Sequence, residues 1–302
     1  MHKLHDLGGL MATSASQNSP QSELQKAFII MIFAFVVSFL AQEIAEFLIV
    51  LTDNWQFKSS PESWMNLIPI ASHMALALLM ISISWISWSK SKAAGNIQDI
   101  ENIFTIKFIS FILEILLVTL YYSLAKSVEV DFANYGKDKT ISSYITKLSA
   151  RPEILQMMLI FSMFALWDFI ADVVLSPRNP PITKKLKIYQ SYIPGIIVYC
   201  LISILCGLAT ILLYLSLPET ESALVVTVAD FALIILLFLF MKAKKLEYYL
   251  CKWFPSEASR VNTNRNTPPT VSNWCVLVCF FSLFLFSILI IKLEPCIQKL
   301  LG

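Results

Sequence analysis

Apolar residues run along this chain in long blocks separated by short polar connectors. Seven blocks stand out, at about 27–51, 65–88, 104–125, 154–176, 192–217, 222–243 and 273–292. As a helix, roughly 20 apolar residues cross the ~30 Å hydrocarbon core of a bilayer. The blocks are too long for strands and lack the alternation of an outer-membrane barrel. Within lipid, backbone groups must be hydrogen-bonded inside their own segment, which selects helices. The pattern predicts an all-α polytopic membrane protein, a bundle of about seven transmembrane helices forming a single domain over residues 25–302.

Between the blocks, residues 1–24 are polar, rich in Ser, Gln and Asn, and have no apolar region of their own. They read as a disordered cytoplasmic segment without a signal peptide. Two connectors carry a helical period. Over 139–152, Ile141, Tyr144, Ile145 and Leu148 recur at helical spacing, predicting a helix lying on the outer membrane surface. Over 243–254, Leu246, Tyr249, Leu250, Trp253 and Phe254 share one face, with Lys244, Lys245 and Lys252 beside it. This basic amphipathic helix is expected to prolong the sixth span along the cytoplasmic leaflet. Lys244, Lys245, Lys252 and Trp253 would then be its surface for anionic lipids or a cytoplasmic protein partner.

Composition narrows the class. The chain is 57% hydrophobic and 15% charged, against about 25% charged in a typical soluble domain. A soluble enzyme, a nucleic-acid binder and a secreted disulfide scaffold are thereby excluded. Lys and Arg divide fifteen to eight between the two sides defined by alternating connectors, and the 5–6 turn, Pro218-Glu219-Thr220-Glu221, is purely acidic. The positive-inside rule places the N-terminus in the cytoplasm and the C-terminus outside. The absence of any Asn-x-Ser/Thr sequon fits a bacterial inner membrane.

Six cysteines lie mostly within spans, with no Cys-x-x-Cys and no neighbouring His, so neither a metal site nor a disulfide is expected. Trp85 and Trp88, just before Lys90, read as an aromatic belt at the headgroups. Only Gly195 and Gly207 fall inside spans, with Pro69 and Pro194 as the kink candidates. That scarcity favours a rigid bundle with local gating over a rocking transporter. An offset of 125 residues maps Glu43 onto Asp168, Phe39 onto Phe164 and Ile68-Pro69 onto Ile193-Pro194, the trace of an inverted three-plus-three repeat.

The candidate chemistry is a set of intramembrane carboxylates without evident basic partners. Glu43 and Glu46 lie in the first span, Glu114 in the third, Asp168 and Asp172 in the fourth, and Asp230 in the sixth; His73 in the second is the one base at comparable depth. An acid at a helix centre costs about 2.5–3.5 kcal/mol on insertion scales, so these residues must face the bundle interior. Glu43, Glu46, His73 and Asp230 are expected in an external layer and Asp168 and Asp172 in an internal one, with Glu114 between them. No catalytic constellation is evident, and no cofactor is implied. Gly-x-Gly-Asp around Asp230, a set of membrane His ligands, a mid-span Lys in the last block and a P-loop are all missing.

The leading expectation is conduction or transport of protons or small cations along this acid-lined interior, with a homo-oligomer as one arrangement. The alternatives are a non-transporting scaffold or membrane-disrupting effector acting with a cytoplasmic partner and, behind that, a lipid-modifying enzyme.

Overall fold

The computed structural model describes residues 20–56, 61–93, 105–127, 130–174, 200–253 and 271–301. The described residues form a nearly all-helical protein: α1 (Pro20–Gln56), α2 (Pro61–Met65), α3 (Leu67–Ala93), α4 (Ile106–Lys126), α5 (Phe132–Asp138), α6 (Ile141–Tyr144), α7 (Arg151–Asp168) with a π-helical turn at Phe169–Val174, α8 (Leu201–Ser216), α9 (Ala223–Trp253) and α10 (Val271–Leu301). Helices α1, α3, α4, α7, α9 and α10 are long and apolar enough to cross a membrane. Described over 16 residues, α8 is about 24 Å long at 1.5 Å per residue. Residues 192–199 of the predicted fifth span lie outside the described residues.

Helix α8 shows why these elements suit lipid. Leu201, Leu205, Leu208, Leu212 and Leu215 form an exposed stripe, while Ser203, Cys206, Gly207 and Thr210 face inward. Large aliphatics outside and small or polar groups inside are the membrane arrangement, because lipid tails solvate leucine as well as a core does. The small face lets α8 lie close along α7, where Phe161 and Ser162 stand opposite Gly207. Elsewhere α3 packs along α9, α4 along α7, and α10 along α9. One continuous apolar core results, containing Met80, Leu117, Met157, Phe161, Leu233 and Leu237.

At 37 residues, α1 is about 55 Å long and outreaches a ~30 Å hydrocarbon core. It begins at Pro20, inside the segment expected to be unstructured; residues 1–19 lie outside the described residues. Its C-terminal end packs with α2, α3, α5 and α6 in a second, smaller core of Val50, Leu67, Ile70, Tyr135, Ile141 and Tyr144. This small core replaces the surface helix expected over 139–152. Before α7 begins at Arg151, only Ile141–Tyr144 is helical there, and Ile141 and Tyr144 are buried against protein. Capping by Asp131 and Thr140 starts α5 and α6 separately, and an antiparallel bridge between Val130 and Ile145 closes the loop on itself. Lys139 ends α5 with a left-handed φ of 53°, a conformation disfavoured by about 1–2 kcal/mol for a residue with a Cβ. Its ammonium is held 3.3 Å from Asp53 and over the Tyr135 ring.

The aromatic-belt expectation is also corrected. Trp85 and Trp88 stack on each other and pack on Phe33 of α1, so both indoles are turned into the α1–α3–α4 contact.

In the cap formed by the small core, Tyr135 Oη donates to Asp53 and accepts from Asn54 Nδ2. Burial, then the Asp53 charge, raises the Tyr135 phenol above its ordinary value. Burial likewise raises Tyr144, with the Glu43 and Glu46 charges adding to it. A raised folded-state value means that this stability is intact below the free tyrosine range near pH ~10 and is lost as pH climbs through the folded value. The cap is therefore expected to open at strongly alkaline pH. Tyrosinate absorbance should rise together with hydrogen exchange in 130–150, and Tyr135→Phe should remove part of that alkaline loss at a cost of about 1 kcal/mol at neutral pH.

Candidate functional site

Three helices bring ionisable side chains together at the end of the bundle nearest the cap. His73 comes from the second turn of α3, Glu153 from the first turn of α7 and Asp230 from the third turn of α9. Their relative exposures are 2%, 3% and 0%. His73 Nε2 donates to the Leu124 carbonyl of α4 at 2.7 Å, and Nδ1 stands 3.2 Å from Glu153 Oε1. Ser72 Oγ lies 2.6 Å from Asp230 Oδ2 and 2.8 Å from the Pro69 carbonyl. All three ionisable residues line one small cavity of about 20 Å³, with Ser127, Ser149 and exposed Lys147 at its edge.

Local sequence explains the placement. Pro152 sits in the first turn of α7, where a missing N–H is harmless, and Glu153 follows with its carboxylate at the positive end of the helix dipole. Ala150 offers no side-chain cap, and Glu221 supplies one from across the bundle. It accepts from Ala150 N at 2.6 Å and from Arg151 Nε at 2.9 Å, while Arg151 also donates to the Pro218 carbonyl. The turn read as purely acidic thus pins the start of α7, and with it Glu153.

A second buried charged group lies at the opposite end of α7 and α9. Asp168 Oδ2 is 2.6 Å from Lys244 Nζ and accepts from Ser203 Oγ at 2.8 Å. Fifteen residues of α7 separate Glu153 from Asp168, about 22 Å of helix rise. Between the two levels lie Met157, Ile160, Phe161, Leu233, Leu236 and Leu237, all buried. The α-helical ladder gives way to the π-helical turn immediately after Asp168, a feature that recurs at functional sites.

The remaining candidates fall elsewhere. Glu43 is approached by Lys126 at 3.6 Å, and Glu46 accepts from Gln42 on its own helix. Glu114 accepts from Trp88 Nε1 at 3.1 Å. Glu114 lies ten residues along α4 from Leu124, whose carbonyl accepts from His73, so about 15 Å of helix rise separates it from that cluster. The side chain of Asp172, and those of Lys245, Lys252 and Trp253, lie outside the described residues. Helix α9 does run on to Trp253, as the pattern of 243–254 predicts.

Two further expectations change. The acids are not without basic partners: Lys126 and Lys244, placed by sequence in connectors, bend their long apolar stems so that their ammonium groups reach Glu43 and Asp168. Lys244 is consequently drawn into the protein, away from the lipid-binding surface assigned to it. The inverted repeat finds a partial echo, since acids at 43 and 168 each meet a Lys near the end of the third or sixth span. Helix packing does not follow a twofold, however. Among the described residues, α3 lies along α9 and α4 along α7, without comparable α8–α4 or α9–α1 contacts. Glu153 is the site residue that sequence reading missed, because it falls one position before the fourth apolar block.

No known protein family, curated protein or solved structure matches this chain. Among the described residues, no group of three or more His, Cys, Asp or Glu is arranged to hold a metal ion. Cys200 and Cys206 are buried, Cys279 is exposed, and none of the three is in a disulfide.

Removing one member of a fully buried ion pair costs about 3–5 kcal/mol. Lys244 is 20% exposed, so Asp168→Asn and Lys244→Met should each cost about 2–3 kcal/mol in detergent unfolding titrations. The double variant should lose less than the sum, which a double-mutant cycle reads directly.

Proposed function

We propose that the protein conducts or transports protons or small cations across a cell membrane through the acid-bearing interior of its helix bundle. The observation that carries this reading is the His73–Glu153–Asp230 cluster: three ionisable groups from three helices, buried around one cavity. With all three charged, the cluster bears one net negative charge, which one proton or monovalent cation neutralises. A purely structural set of polar groups has no need of that imbalance, since buried charges are ordinarily paired off. The Asp168–Lys244–Ser203 group, about 22 Å away along α7, supplies a second charged station at the other end.

In this reading the cytoplasm lies on the Asp168 side, as the fifteen-to-eight division of Lys and Arg requires. The cap side is external, α8 completes a seventh crossing and the bacterial inner membrane is the host. The bundle as described is closed, because the apolar layer around Phe161 separates the two stations. Gln156, one turn along α7 from Glu153 and donating to Ser123 Oγ at 3.0 Å, is the first polar step into that layer. Passage therefore requires the layer to open or hydrate.

Reconstitution in liposomes tests the reading. Under an imposed gradient, the wild type should change internal pH or cation content. Asp230→Asn and Glu153→Gln should reduce that flux to the background of empty vesicles while retaining helical content and monodispersity. Wild-type protein that is folded, inserted and silent towards H⁺, Na⁺ and K⁺ would overturn the transport reading and favour a non-transporting scaffold.

A further inference from the structure

Among the described residues, three buried polar atoms around this cavity have no hydrogen-bond partner: His73 Nδ1, Glu153 Oε2 and Asp230 Oδ1. Nδ1 approaches Glu153 Oε1 at 3.2 Å without meeting the direction of a hydrogen bond. Leaving three such atoms unmatched would cost several kcal/mol. They belong to the three residues that line a cavity of about 20 Å³, room for one water, and a buried water is stable where it finds two to four polar partners.

Tautomer and hydroxyl chemistry then fix the proton inventory. The Leu124 carbonyl can only accept, so His73 Nε2 carries a hydrogen and Nδ1 is the nitrogen that gains or loses one. The Ser72 hydroxyl has one hydrogen and two acceptors in reach. When Asp230 is ionised, Ser72 donates to it. When Asp230 holds a proton on Oδ2, that O–H donates to Ser72 Oγ, and the serine hydrogen turns to the Pro69 carbonyl. Both arrangements are fully bonded without moving a heavy atom.

Resting on the transport reading for its physiological role, we propose that the outer cavity is a proton-binding site selective against metal cations, in which one water bridges His73, Glu153 and Asp230 and shares one excess proton among them. Uptake forms one N–H or O–H bond and breaks none but that of the hydronium delivering the proton, taking the cluster from one net negative charge to zero. A calcium ion takes six to eight oxygen ligands and magnesium a near-ideal octahedron. Here two carboxyl oxygens and an imidazole nitrogen face a space for one water, and the nearby Leu124 and Pro69 carbonyls already accept hydrogen bonds.

The groups facing the site from each packed element are few. They are Ser72 and His73 from α3, Ser127 after α4, Lys147 and Ser149 from the loop before α7, Glu153 from α7, and Asp230 from α9. The Arg151–Glu221 pair flanks it and is internally neutral. Lys147 is therefore the one cation at the cavity edge among the described residues.

Infrared difference spectra of the full-length protein in lipid nanodiscs, recorded as a pH titration, read the site directly. A protonated-carboxyl C=O band should appear as pH falls, shift on exchange into D₂O, and keep its midpoint when Na⁺ is replaced by K⁺, Mg²⁺ or Ca²⁺. The band should be lost in Asp230→Asn or Glu153→Gln. The wild-type cation series stands without either variant, so misfolding of a mutant does not leave the question open. A midpoint displaced by any of these cations, or no pH-responsive carboxyl band in folded protein, would overturn the proposal. Liposome flux is read separately: a band without flux removes transport and leaves the proton site, whereas flux without a band does the reverse.

Discussion

The buried ionisable groups inside this bundle are met by partners from other helices, and that requirement ties the helices together. In a medium that solvates charge poorly, an unpaired carboxylate is expelled or neutralised. Asp168 of α7 meets Lys244 of α9 and Ser203 of α8; His73 of α3 meets Glu153 of α7 and the Leu124 carbonyl of α4; Ser72 of α3 meets Asp230 of α9. Apolar packing alone tolerates sliding of one helix past another, since leucine is as content in lipid as against leucine. The polar contacts do not tolerate it. A one-residue shift of α7 would rotate Glu153 and Asp168 away from both partners at once, so the charged groups set register while the apolar surface supplies area.

The same constraint explains the outer connectors. The start of α7 carries Glu153 and must be held still for the cluster to form, yet Ala150 gives it no cap. Glu221 closes on the Ala150 amide and on Arg151, joining the connector before α9 to the start of α7. Around it, the small core of Tyr135, Ile141 and Tyr144 covers the projecting ends of α1 and α3. The cap thus stands over the cavity side of the bundle, and the left-handed Lys139 is a local strain accepted for closing it.

What could be read from sequence was what depends on composition and period over a whole helix: the apolar blocks, their helical state and the inward direction of Glu114, Asp168 and Asp230. His73 and Asp230 could be named because each is a lone ionisable residue within an apolar run. Glu153 could not, for its neighbours Arg151 and Pro152 look like an ordinary solvated helix start. The signal it did leave is an acid one position from an apolar block, on the same helix face as Met157 and Ile160. Lys126 and Lys244 were assigned to the water side because position along the chain locates a Cα, whereas a lysine ammonium lies several ångströms from it. Trp88 misled for a related reason: at the end of a span an indole has an apolar body for the bundle and an N–H for a buried acid, and here it turned inward to Glu114. Side-chain direction, and not segment identity, is where one-dimensional reading runs out.

If the protein transports an ion as proposed, the distance between the two charged groups favours the proton as the mobile species. An ion crossing about 22 Å of helix rise past Phe161, Leu233 and Leu237 would have to bring its hydration shell through a layer packed at the density of a protein interior. A proton needs no such opening. A transient file of single waters and a few side-chain hydroxyls or amides suffices, because only O–H bonds are exchanged along it. Gln156 and Ser123 already provide a first bonded pair beyond Glu153, and Tyr121 and Thr210 are buried polar residues further in. Under the proposed transport reading, the apolar middle would act as a selectivity element in its own right, excluding species that must keep several oxygen ligands while leaving the one that is handed from oxygen to oxygen.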